Sequence, residues 1–574
     1  MSGLNELVQR SHTRQPLWLP DVRSAFCAME DAEALILRLD SFDGEQRFFH
    51  RRLPRWRSEA ERSFVRGYLC AEIYNAMCVC GGWRMSFFID AGASAQVDLL
   101  KEITEYFLGP AARPSGFQKA LRVANRMAKV LNRKEFHFTI ADISEYIETS
   151  KPVSQTASPA AELQALARKA ERARCVGIDV GGTDIKLSAS ANGRLVAVRE
   201  YDWNPAAFTA IDQLIQPILL LTRLMRACLA LNGCEANILD RALRREADDE
   251  EIAAAVQAAE ARADTDVLDA VGVSFPDIVL HDHIIGGETP KTAGIRRRAG
   301  AAYDAEFAKL GMLREQLLSL CRRGGRCRVA NDGNLAAFTA AMELSCGETP
   351  ELAEDGVIAH TLGTDLGTGW LNERGELPQL PLEFYDLWMD LGSAPALAFP
   401  PEDLRSSLSE NAALPGVRRC LGQSAAYRLA WELDPALLSG YTAERDGILS
   451  VRTEPEDLRK PCLEHLMRQA EQGSAAAEEV FRRIGGNLAV LSRELDELLH
   501  PKAKRRFLYG RFVKSPRCFA LIREGFAKGV RGMYVENAGE ELANTPLMRQ
   551  LAEREDVTAA QFAQAVGALY FALS

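Results

Sequence analysis

The chain has no run of about 18 uncharged apolar residues, and its opening Met-Ser-Gly-Leu-Asn-Glu-Leu lacks the charged-then-apolar order of a secretory signal. Neither a membrane span nor export is expected, and the reading is of a cytoplasmic protein. Basic charge is also short. Against 79 Asp and Glu stand 69 Lys and Arg, a formal net charge of −10, which argues against a general nucleic-acid surface. The local runs Arg51-Arg52 and Arg296-Arg297-Arg298 read as solvated surface. No compact three-helix pattern with a basic recognition helix stands at the N-terminus, so nucleic acid is an unlikely partner. The 13 cysteines follow no pairing logic, which suits a reducing compartment. Cys78-x-Cys80 and Cys321 with Cys327 have no second pair at zinc spacing, and His281-x-His283 has no third ligand nearby, so no zinc is expected.

What remains is ordinary globular composition, 47% hydrophobic and 26% charged over 574 residues, enough for about three domains. Residues 1–147 read as a small α/β domain of unknown role: a hairpin around Asp43-Gly44, a helix over 59–80, a strand over 85–89, helices over 95–107 and 117–131, and a strand over 136–140. The Ser-, Thr- and Pro-rich 148–160 opens a linker that extends to 173.

The chemistry begins at 175–190, C-V-G-I-D-V-G-G-T-D-I-K-L-S-A-S. An apolar run delivers Asp179, Gly181-Gly182-Thr183 turns the chain, and Ile185, Leu187 and Ala189 then alternate with Asp184, Lys186 and Ser188. Two readings are open at this point. It is either a plain glycine hairpin, or a phosphate turn in which Gly181 and Gly182 admit an anion to the backbone N–H groups, Thr183 adds a hydroxyl, and Asp179 holds hydrated Mg²⁺. A Walker or dinucleotide turn opens a helix; here a second strand, Asn192-Gly193 and a third strand follow, a meander that points to an actin-like ATPase fold.

Two further stretches bear on the choice. A strand ends at Asn331-Asp332-Gly333-Asn334, which is either a turn or the edge that carries a general base, Asp332, steadied by neighbouring amides such as Asn331. A second strand, turn and strand occurs at 357–371 with Gly363-Thr364-Asp365-Leu366-Gly367-Thr368-Gly369 as its turn. Two such turns facing across a cleft would hold ATP phosphates from both sides. Farther on, the long helix 206–231 carries Pro217 as a kink or restart, 240–264 reads as a charged surface helix, and the last helix carries Gly567-Ala568, small enough for close packing.

The order of these motifs resembles the ROK family of repressors and sugar kinases, within the actin/hexokinase-like superfamily, over residues 174–574. The resemblance implies an α/β, actin-like (ribonuclease H-like) two-lobed fold behind the extra N-terminal α/β domain. Lobe I is expected over 174–330 with the closing helix 556–574, and lobe II over 331–555. It implies Asp332 as the base, Asn331 as a sugar ligand, Asp179 as the Mg²⁺-side carboxylate through water, and Thr183, Lys186, Gly363, Thr364 and Gly367 on phosphates. Gly510, in Tyr509-Gly510-Arg511, falls at the adenosine-side turn, and Glu383 falls about where the family's sugar-binding Glu stands. The expected cofactors are ATP and Mg²⁺, and the expected assembly is a homodimer. Residues 380–429 hold Cys420 alone and no His, so the family's zinc loop is absent. Asp365 stands where glycine is usual, and Pro290-Lys291-Thr292 replaces a Pro-Asn-Leu, which makes Lys291 a candidate ligand for an acidic substrate group. The leading reading is an ATP-dependent kinase acting on a hexose or hexose derivative. The alternative is a non-catalytic sugar or nucleotide sensor acting through its N-terminal domain.

Overall fold

The computed structural model describes residues 3–13, 15–109, 118–131, 133–147, 158–231, 236–286, 290–363, 366–392, 416–445, 448–538 and 543–574. Helix α1 (Leu19–Cys27) turns Leu19, Val22 and Phe26 inward at spacings of three and four. Strands β1 (Glu33–Asp40) and β2 (Gln46–Leu53) pair antiparallel around Asp43-Gly44, where Gly44 takes a φ of 82°. Helix α2 (Glu59–Cys80) starts at Ser58, whose hydroxyl accepts from the Glu61 N–H at 3.2 Å. With β3 (Arg84–Ile89), α3 (Gln118–Val130) and β4 (His137–Asp142) it completes a four-stranded sheet of order β2-β1-β3-β4.

The stretch read as linker is corrected in its second half. Residues 148–157 lie outside the described set, but Pro159–Ala170 is a helix, α4. Ser158 caps it and Pro159 opens it, while Leu163, Leu166, Ala167 and Ala170 recur on one face and are buried. Composition pointed to a linker because the apolar stripe begins only after the Ser/Thr/Pro segment ends.

Lobe I follows as β5 (Arg174–Val180), β6 (Asp184–Ala191), β7 (Arg194–Asp202), helix α5 (Asp212–Leu231) and β8 (Ala270–Phe275). Helix α5 runs through Pro217 without a break, so the expected restart is absent; among the described residues it alone is long and apolar enough to cross a membrane, yet 67% of its apolar window is buried in the lobe. The charged stretch 240–264 narrows to a helix over Asp249–Glu260, whose Ile252, Val256 and Ala259 are buried. Strand β9 (Arg326–Asn331) ends the sheet and leads into α6 (Asp332–Cys346), which packs on lobe II's β10 (Val357–Leu362) and β11 (Leu366–Leu371). Helix α7 (Ala475–Leu499), β12 (Arg505–Gly510) and β13 (Tyr534–Asn537) complete lobe II. Helix α8 (Ala559–Phe571) returns to pack on β5, β6, β8 and α6.

The two sheets repeat one plan. In lobe I the order is β9-β8-β5-β6-β7, with β5/β6 and β6/β7 antiparallel and β5/β8 and β8/β9 parallel. In lobe II the order is β11-β10-β12-β13, with β10/β11 antiparallel and the rest parallel. The counterpart of β7 is not among the described residues.

The N-terminal α/β domain is not an appended body. One apolar core joins Phe26, Leu69, Ile73 and Met77 to Trp388, Leu488, Leu491 and Leu495 of lobe II. Through it runs a buried ionic network: Arg23 binds Glu72 and Glu494, each at 2.8 Å, and Arg51 binds Glu72 at 2.7 Å. Asn75 exchanges a pair of bonds with the Trp388 backbone, at 2.9 Å each, and its amide also donates to Glu494 at 3.0 Å. Burial works against the Glu72 charge, but the two guanidinium groups outweigh it and hold its carboxyl below the usual range.

Candidate active site

Strand β5 delivers Asp179 opposite Lys186 of β6 and beside Ser274 of β8. Burial pushes the Asp179 carboxyl up from 3.8 to about 6; Lys186 and a hydrogen bond with Ser274 oppose this, while the charges of Asp332 and Asp184 add to it. The turn after it is closed by the Gly181 N–H donating to the Asp184 carbonyl at 2.8 Å. Trp203 braces it from β7's exit, its indole N–H donating to the Gly181 carbonyl at 3.1 Å and its backbone N–H to the Thr183 carbonyl at 3.1 Å. Gly182 and Thr183 are left exposed at the tip. The Thr183 hydroxyl donates to Asp184 at 3.0 Å, and Lys186 also pairs with Asp184.

The second group sits at the end of β9. Asn331 caps α6: its side-chain oxygen accepts from the Gly333 and Asn334 N–H groups at 2.9 and 3.3 Å, and its amide donates to the Asp277 carbonyl at 2.9 Å. Asp332, the first residue of that helix, accepts from the Gly333 N–H at 2.8 Å. Burial pushes its carboxyl up, and Lys291 and the bonds from Gly333 and Asn331 restrain it. The Lys291 charge thus reaches Asp332, and its Cε lies 3.2 Å from where a Cβ on Gly182 would stand. The fold thus gathers Asp179, Asp332, Lys186, Lys291, Gly182 and Thr183. Sequence reading missed Asp184, Ser274 and Trp203. Asp184 was passed over as the outward member of an alternating pair, and Ser274 and Trp203 reach the site only through strand pairing.

On lobe II, Gly363 closes β10 and its carbonyl accepts from the Gln423 N–H at 3.1 Å. Gly510 ends β12 directly beside Leu362, with a φ of 104° that places its backbone against the Leu362 carbonyl, so Gly363 and Gly510 meet at adjacent parallel strand ends. Gly367 lies on β11 opposite Thr361. Thr364 and Asp365 lie outside the described residues. Glu383 is anchored to the N-terminal domain, its N–H donating to the Cys78 carbonyl at 3.2 Å. A Cβ on Gly369 would come within 1.8 Å of the Gly333 carbonyl oxygen, so the start of α6 lies flat on lobe II's hairpin. A cavity of about 560 Å³ lies between Arg328, Phe338, Trp370 and Arg374; Asn331 lines it, but Asp179, Asp332 and Lys291 do not.

The carboxylate cluster stands at the carboxyl ends of the parallel strands β5, β8 and β9, and Gly363 and Gly510 at those of β10 and β12, on two sheets that share one plan and are joined through α6, on which α8 packs. The fold is actin-like. No family model matches the chain, and no curated protein matches it. Among solved structures it is similar to a ROK family glucokinase from Streptomyces griseus in complex with glucose and AMPPNP, at 18% identity over 70% of this chain and 99% of that one, with a TM-score of 0.36. A putative N-acetylmannosamine kinase from Listeria monocytogenes matches at 15% identity over 70% and 98%, with a TM-score of 0.40. A ROK family transcriptional regulator, described as a homologue of the E. coli MLC protein, matches at 13% over 89% and 99%, with a TM-score of 0.39. The fold assignment rests on the strand order rather than on these scores.

Proposed function

We propose that the chain is a divergent ROK-type sugar kinase that transfers the γ-phosphoryl group of ATP to a hydroxyl of a hexose or hexose derivative. The observation that carries this is the gathering of two half-buried carboxylates, Asp179 and Asp332, and two lysines around the exposed Gly182-Thr183 turn. Phosphoryl transfer asks for positioning and charge neutralisation, and this set supplies both. Asp332, its pKa raised by burial, accepts the sugar hydroxyl proton. The hydroxyl oxygen forms the new bond to the γ-phosphorus as the bond to the β,γ-bridging oxygen breaks, and ADP leaves with that electron pair. Lys291, beside both Gly182 and Asp332, faces the transferred group; this favours a phosphate partner over the acidic substrate group expected from sequence. Gly363 and Gly510 line the nucleotide side.

Two carboxylates charged only at a cost suit a hydrated divalent cation. Asp179, opposite Lys186 and beside Ser274, would hold Mg²⁺ through water. When bound, Mg²⁺ neutralises phosphate charge.

The test is ADP release from ATP and Mg²⁺ with a panel of hexoses, amino sugars and sugar acids. Sugar-dependent turnover is expected, reduced by about 10²–10⁴-fold in Asp332→Asn. Absence of sugar-dependent ADP release, or an unaffected Asp332→Asn variant, overturns the reading. The second reading, a sugar or nucleotide sensor, is favoured by the N-terminal domain's shared core with lobe II; calorimetric sugar binding without turnover would support it.

A further inference from the structure

We infer that the N-terminal domain is a built-in tie between the two lobes, and that Arg126 on α3 is the positioning residue through which it sets the substrate loop. The substrate role of that loop rests on the kinase reading; the tie itself does not.

The domain's anchor is lobe II, through the Arg23–Glu494 pair and the Asn75–Trp388 bonds. Its other contact is with the loop that leaves β8 and carries Asp277 and Lys291. A short hairpin there, Val279–Leu280 with His283–Ile284, is a two-sided plate. Val279 and Ile284 belong to the apolar core of lobe I, whereas Ile278, Leu280 and Ile285 belong to the core shared by the N-terminal domain and lobe II. Strand alternation thus stitches the loop to both bodies.

Arg126 fastens the end of that plate. Its side chain, 14% exposed, donates to the Gly286 carbonyl at 2.8 Å and to the Asp304 carboxylate at 3.1 Å. Gly286 has no room for a side chain: a Cβ there would lie 1.3 Å from Asp277 Oδ1. Fixing the Gly286 carbonyl therefore fixes the Asp277 carboxyl that packs on it. The Asp277 carbonyl in turn accepts from Asn331, the cap of the helix that begins with Asp332. Three contacts lead from Arg126 to Asn331, the residue before the proposed base. It acts by holding the loop, so its removal is expected to weaken sugar binding rather than chemistry.

The experiment compares full-length wild type, Arg126→Ala, Arg126→Gln and Arg126→Lys by hydrogen exchange over residues 277–286 and by steady-state kinetics with the best sugar of the panel. Exchange in that segment is expected to rise about tenfold in Arg126→Ala, and the KM for sugar to rise about tenfold, with kcat and the KM for ATP within about twofold. Arg126→Lys, which keeps the charge and one donor, recovers part of both. Arg126→Gln repeats the measurement with a side chain of similar reach, independently of how the alanine variant folds. Unchanged exchange over 277–286 in both the alanine and glutamine variants overturns the tie; a fall in kcat at unchanged sugar KM overturns the positioning role. If wild type has no turnover, the kinase reading fails while exchange still decides the tie.

Discussion

Asp179 has a carboxyl that burial makes reluctant to ionise, with a pKa of about 6 against an ordinary 3.8. A raised carboxyl contributes stability that is fully present below about pH 4 and is lost as pH rises through about 6. Asp179→Asn removes that loss. Thermal melts of the ligand-free protein should therefore show the variant more stable than wild type at pH 7–8, by on the order of 1–3 kcal/mol, and equal to it near pH 4. Equal melting at both pH values would refute the burial account. Asp179 and Asp332 are legible in the sequence because each stands at the end of an apolar strand within two residues of a glycine. Ser274 was not, because its approach to Asp179 depends on a parallel register between strands 95 residues apart, as with the Arg174–Asp269 bond in the same pair. Lys291 stands out in the sequence as a charged residue in an unusual place, a candidate ligand for an acidic substrate group, but its approach to Gly182 is not readable without the turn beside it.

Helix α6 is the element on which both halves of the site meet. Its N-terminus carries Asp332 and lies against β11 with no space for a methyl group at Gly369. Gly369→Ala must push the helix start away from the hairpin; a loss of about 10²-fold in kcat is expected from a displacement near 1 Å, with about 1–3 kcal/mol of destabilisation from overpacking. Kinetics and denaturant melts on the same preparation check both. The strand pairs flanking α6 were readable from alternation and glycine turns, since a local hairpin is encoded locally. Helix α4 was not, although Ser158-Pro159 is a good helix start; the composition of the preceding ten residues outweighed it. The crossing of α6 onto lobe II lies beyond any local pattern, since Gly369 shows what it touches only when two sheets are assembled.

At the scale of the molecule, the N-terminal domain and lobe II stand or fall together. Glu72 binds both Arg23 and Arg51 in the interior, and truncating it leaves two buried guanidinium groups with less compensation. Glu72→Ala is expected to cost about 3–5 kcal/mol, lowering the melting point of both bodies in one transition; a separate early transition for residues 1–147 would show that the bodies are independent. The sequence reading separated them because charged residues at these positions look like surface, and only the long-range pairing makes them core.

That pairing has a consequence for how the chain is made. Arg23 leaves the ribosome 471 residues ahead of Glu494, an interval of roughly 25–95 s at ordinary rates of synthesis. Through that interval Arg23 has Glu72 but not Glu494, and the apolar face that meets α7 is uncovered. The core that the N-terminal domain shares with lobe II is therefore completed only after α7 is translated. Lobe I, whose core lies within residues 176–329, can close earlier, whereas a product that ends before α7 lacks the α7 part of the shared core and the Glu494 partner of Arg23.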